Sequence, residues 1–89
     1  MMFKKRTPSQ TQKVAFGRMI RDARNSHGLT QEKLAELMNC SVRWIIQVEG
    51  GKSSLNCLDT ICLLAVLELS PAEVAEEVGI HVPVFANRK

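Results

Sequence analysis

An all-α fold is predicted by three observations made on the sequence alone. Hydrophobic residues make up 45% of the 89-residue chain while aromatics make up only 4%, and strands favour the aromatic and β-branched residues that are scarce here. Apolar residues recur at spacings of three and four rather than two. Helix-start and helix-stop residues punctuate the chain at short intervals. A chain of this length supports one small domain, and one that buries only part of its unfolded surface, so a second subunit is expected to add stability.

MMFKKRTPSQ has no periodicity and contains a Pro, so residues 1–11 are assigned to a flexible basic arm. The first helix is expected from about Gln12 to His27, where Phe16, Met19, Ile20 and Ala23 mark one face, with Gly28 ending it. Thr30 is an N-cap candidate for a second helix over Gln31–Met38, with Leu34, Ala35, Leu37 and Met38 turned inward. Asn39 tolerates the left-handed conformation and makes a tight turn. Ser41 caps a third helix, Val42–Glu49, which Gly50 and Gly51 close.

After the polar loop KSSLN, Asn56 with Asp59 opens a fourth helix from about Cys57 to Leu67. Its apolar character nearly all round predicts a central, buried element. SPAE, Ser70–Glu73, is the clearest start signal in the chain, with Ser as N-cap, Pro at the first helical position and Glu three residues after the Ser. The fifth helix is expected to reach Val78 and stop at Gly79. The resulting division is an arm (1–11), a helical domain (12–79) and an extended tail (80–89), in which Pro83 disfavours helix at Val82.

Charge is polarised along the chain. Residues 1–24 carry seven Lys or Arg against Asp22, whereas residues 53–89 set Arg88 and Lys89 against five acidic residues. That distribution suits a domain presenting one end to a polyanion. The longest apolar run, Ile61–Leu67, is far shorter than the roughly 20 residues of a membrane span, and no signal peptide is recognisable, so a soluble cytoplasmic protein is expected. Cys40, Cys57 and Cys62 lack metal-ligand spacing among themselves or with His27 and His81, and no disulfide framework, metal or other cofactor is expected. Neither a catalytic triad nor a carboxylate pair is recognisable, which argues against an enzyme.

The segment Gln31–Gly50 resembles the helix-turn-helix motif of the lambda-repressor-like, or XRE-type, DNA-binding family. Ala35 stands where the two helices cross, and Leu34, Met38, Cys40, Ile45 and Val48 occupy the apolar positions that lock the crossing. Asn39 replaces the usual turn Gly. The resemblance extends over roughly Gly17–Leu69, including GLTQEKLAEL and the EGGK that ends the third helix. It implies a compact five-helix domain, an ion pair between Arg24 and Glu49, and a DNA-phosphate contact at Gln31. Lys52 and Ser54 match backbone-contacting positions, and Ser41, at the start of the third helix, is grouped with them.

Laying out the third helix at about 100° per residue separates its two faces. Ile45 and Val48 define the core side, with Trp44 and Glu49 flanking it, and Trp44 is expected to pack. Arg43, Ile46 and Gln47 lie opposite, with Val42 at the edge. These four are the expected base readers, since Arg pairs with guanine, Gln with adenine, and an apolar side chain meets a thymine methyl. The expected function is therefore a sequence-specific DNA-binding regulator, a repressor, acting on a double-stranded operator as a homodimer. Val74, Val78, Ile80, Val82, Val84 and Phe85 are the candidate dimer surface. The alternative is an antitoxin or adaptor that holds a protein partner, such as a toxin, and binds DNA secondarily.

Overall fold

The computed structural model describes residues 9–52 and 55–79. Within them the chain forms α1 (Gln10–Ser26), α2 (Gln31–Met38), α3 (Val42–Glu49), α4 (Cys57–Val66) and α5 (Pro71–Val78). Each helix begins at a polar N-cap whose side chain accepts the backbone N–H of the residue three positions on: Ser9, Thr30, Ser41, Asn56 and Ser70. Such caps satisfy donors that the first turn leaves without helical partners. Ser70 and Glu73 complete the expected capping box. Asn39 adopts the left-handed conformation with φ 56° and ψ 49°, which lets α2 turn sharply into α3.

Three boundaries differ from the sequence reading, one of them the end of α1, which falls at Ser26 rather than His27. α1 begins at Gln10 because Ser9 and Gln12 form a second capping box, so the helix takes in residues assigned to the arm. α4 ends at Val66, where Glu68 takes a left-handed φ of 57° and the Leu69 N–H returns to the Leu64 carbonyl. This closes the α4–α5 turn with Glu in a conformation usually left to Gly or Asn. Residues 1–8, Ser53, Ser54 and 80–89 lie outside the described residues, so the arm, Ser54 and the tail residues Ile80, Val82, Val84 and Phe85 have no structural account.

The core has two connected parts. Ile20, Leu34, Ala35, Ile45, Val48, Leu63 and Leu67 are buried together where α1, α2, α3 and α4 meet. Leu64, Val74 and Val78 form a second cluster against Ala15, Phe16 and Met19 of α1. This corrects the expectation that Val74 and Val78 are spare dimer surface: α5 uses its apolar face to cover the back of α1. Leu37, expected inward, is 51% exposed, because α2 spends its two inward turns on Leu34 and Ala35.

The largest correction concerns α4. Only Leu63 and Leu64 of this helix are buried, and Leu67, just beyond it, joins them. Leu58 is 73% exposed and Ile61 57% exposed. Cys57, Cys62 and Ala65 are exposed too. A helix apolar all round was read as central, but α4 lies on the surface and turns an apolar face outward.

Candidate nucleic-acid interface

The placement of α3 begins with glycines. Gly17 is buried in α1, and a Cβ built there would stand 2.6 Å from the Glu49 carbonyl oxygen and closer still to that of Val48. α1 and α3 therefore pack backbone to backbone at this point, and any larger residue would force them apart. Gly51 has φ 74°, and a Cβ on it would come within 2.9 Å of the Val14 Cα. The Gln10 side-chain amide then donates to the Gly51 carbonyl at 3.0 Å. The C-terminal end of α3 is thus held close to the first half of α1.

The Arg24–Glu49 pair implied by the family resemblance forms in full. Arg24 Nε donates to Glu49 Oε2 at 2.6 Å and Nη2 to Oε1 at 3.0 Å, a bidentate fork. Nη1 donates to the Leu29 carbonyl at 2.8 Å. Both residues are buried, yet no buried side-chain polar atom among the described residues lacks a partner. The hydrogen bond to Glu49 pushes the Arg24 pKa above its ordinary value, with burial opposing and the Glu49 charge assisting, so the guanidinium stays charged throughout the accessible pH range. A charged pair in planar, two-point contact fixes both distance and rotation between α1 and α3.

Gln31 joins this network, its amide nitrogen donating to Glu49 Oε1 at 3.1 Å. The side chain that resemblance marks as a phosphate contact is half-buried and ties the start of α2 to the end of α3. Ser41 likewise has a structural task, capping α3 by accepting the Trp44 N–H at 3.1 Å. Lys52 is exposed just beyond α3.

With its inner side so held, α3 presents Arg43, Ile46 and Gln47 to solvent. Ile46 is 50% exposed. Val42 is half-buried and packs against the core, as does Trp44, so Val42 belongs at the margin of the outward face. The four residues expected to read bases thus form three exposed side chains on one strip plus one at its inner edge. An Arg fork and an amide flanking an apolar side chain offer donors, an acceptor and a methyl-sized contact over about one and a half helical turns.

Sequence reasoning missed the contacts that Gly17, Gly51 and Gln10 make between α1 and the end of α3, because a close approach or a contact across 41 residues has no local signal. It also missed His27, whose Nε2 lies 2.9 Å from the Leu67 carbonyl and joins the end of α1 to the end of α4. Among the described residues no cluster of His, Cys, Asp and Glu is placed to hold a metal ion, and no helix is long and apolar enough to cross a membrane.

Comparison with known proteins follows the same outline. Residues 15–76 match the family model described as a helix-turn-helix domain. The restriction-modification controller protein C.AhdI from Aeromonas hydrophila is 31% identical over 68% of this chain and 92% of its own, with a TM-score of 0.63. The clp gene regulator ClgR from C. glutamicum is 25% identical over 85% of this chain and 95% of its own, with a TM-score of 0.70. The controller protein C.Esp1396I is 26% identical over 81% of this chain and 91% of its own, with a TM-score of 0.61. No curated protein matches the sequence.

Proposed function

Since the chain belongs to the helix-turn-helix domain family and is a DNA-binding transcriptional regulator of lambda-repressor-like fold, we propose that it reads a specific operator by laying α3 in the major groove. The observation that carries this reading is the division of α3. Its inner side and C-terminal end are fixed by the Arg24–Glu49–Gln31 network and the Gly17 contact, while Arg43, Ile46 and Gln47 stand free on the other side.

In this reading Arg43 donates to guanine O6 and N7, Gln47 pairs with adenine, and Ile46, with the rim of Val42, packs on thymine methyls. Lys52 and Ser54 contact phosphates after α3. Gln31 acts through the backbone N–H groups at the start of α2 and through its remaining amide hydrogen, and Ser41 through its hydroxyl at the start of α3. Arg24 and Glu49 touch no DNA and hold α3 at its angle.

One such unit spans a single half-site, so the working form is a homodimer on two half-sites about 34 Å apart. Occupying an operator in this way makes repression the simplest outcome. The supporting resemblance to controller proteins and to ClgR concerns regulators, and no observation favours a toxin as partner.

Selection of bound sequences from a random duplex pool tests the reading. A defined, two-fold repeated sequence is expected, with affinity falling steeply as salt rises because phosphate contacts release counterions. Equal binding to all duplexes, or none at any salt concentration, would overturn it.

A further inference from the structure

A cleft of about 340 Å³ opens between the α2–α3 turn and the start of α4, walled by Met38, Asn39, Cys40, Ser41, Trp44 and Asp59. That volume lies at the lower end of the ~300–1,000 Å³ typical of small-molecule sites. Its walls are held from behind. Met38, Cys40 and Trp44 are half-buried and pack on the core that holds Leu34 and Ile45. Asn39 is set in its left-handed turn, Ser41 is engaged as the α3 cap, and Asn56 Oδ1 accepts the Asp59 N–H at 2.7 Å. The cleft is therefore built into the fold, as ligand sites usually are.

The chemistry of the walls selects the occupant. Asp59 is the one acidic or basic side chain among the six. The ion pairs formed among the described residues, Arg24–Glu49 and Lys33–Glu36, leave it out. Burial, with the Asp59 charge adding to it, pushes the Cys40 thiol up, so Cys40 stays a neutral thiol and, with Met38, offers soft polarisable surface. Trp44 adds a broad aromatic surface. A ring beside a carboxylate attracts a cation twice, through the ion pair and through the ring quadrupole.

An anion is the competing occupant, because α3 and α4 both begin at this cleft and helix starts carry partial positive charge. The backbone N–H groups of Trp44 and Asp59, however, are already taken by the Ser41 and Asn56 side chains, and an anion would also meet the Asp59 carboxylate. The balance favours a cation.

We propose that this cleft binds a small organic cation, an ammonium, amidinium or guanidinium group on a flat apolar body, with the charge against Asp59 and the body against Trp44. One wall of the site is the first turn of α3, the turn that also carries Arg43. The site uses neither Arg43 nor Gln47, so it stands whether or not α3 reads bases.

The protein carries its own reporter, since Trp44 is its single Trp and it has no Tyr. Benzamidine, benzamide and benzoate are nearly the same shape and are cationic, neutral and anionic at neutral pH. Titrated into the full chain at constant ionic strength, benzamidine should change Trp44 emission saturably, with a Kd on the order of 1 mM for so small a probe. Benzamide and benzoate should bind at least about fivefold more weakly. The net charge of +3 would by itself favour benzoate, so a preference for benzamidine reports the cleft. Asp59→Asn should abolish that preference and Asp59→Glu should retain it, with circular dichroism confirming that both variants remain helical. The three probes on the wild type decide the question even if a variant fails to fold. No saturable response to benzamidine, equal binding of all three probes, or a cation preference that survives Asp59→Asn would overturn the proposal. No duplex is present, so a failure here leaves the DNA reading untouched.

Discussion

α3 and α4 are the two most apolar short helices of the molecule, and they use that character in opposite ways. α3 buries Ile45 and Val48 and turns Arg43 and Gln47 outward around a single exposed Ile46. α4 buries Leu63 and Leu64 and turns Leu58, Ile61 and Ala65 outward with no polar neighbour among them. The difference teaches that an exposed isoleucine takes its meaning from its surroundings. Beside a guanidinium and an amide it completes a strip that matches the chemistry of base edges, whereas beside leucine and alanine it matches only another apolar surface.

If α3 is held rigidly from behind, the largest effect should come from its anchor. Glu49→Ala leaves a buried guanidinium without its partner and should lower stability by about 3 to 5 kcal/mol, read by urea denaturation. An unchanged midpoint would mean that the pair does not fix α3. The same assay separates buried from exposed isoleucine. Ile45→Ala should cost about 2 to 5 kcal/mol through lost burial and a cavity, whereas Ile61→Ala in dilute, reduced protein should stay within about 0.5 kcal/mol. Equal losses would remove the contrast between the two helices.

On the DNA side, Arg43→Ala should lose about 1 to 3 kcal/mol of discrimination at one base position. Lys52→Ala should weaken all duplexes alike and reduce the salt slope by about 1. Titrations against a panel of single-base variants distinguish the two patterns. The smallest effect belongs to the turn that ends α4: Glu68→Gly relieves the left-handed penalty and should raise stability by no more than about 1 kcal/mol, visible as a small rise in Tm.

Much of this architecture was legible because its signals are local. Thr30, Ser41, Asn56 and Ser70 each cap the helix assigned to them, since a cap needs only its own next few residues. The outward strip of α3 could be laid out by arithmetic, since helical geometry fixes the angle of each residue. The Arg24–Glu49 pair came from family resemblance, as nothing in the spacing of two residues 25 apart marks them as partners. Burial of whole helices was the weak point. Apolar content states that a face avoids water without stating which neighbour covers it, and so α4 was placed at the centre and Val74 and Val78 at the surface, the reverse of what forms.

The sequence by itself determined the five helices, most of their ends and the polar strip of α3, through capping, periodicity and the stereochemistry of Gly and Asn. Only the tertiary structure decided that Gly17 admits the backbone of α3, that Gln31 turns from solvent to Glu49, and that α5 joins Leu64 of α4 in closing the core behind α1. Those choices depend on which apolar faces meet, a property of distances between residues far apart in the chain. Local order along the sequence does not contain them.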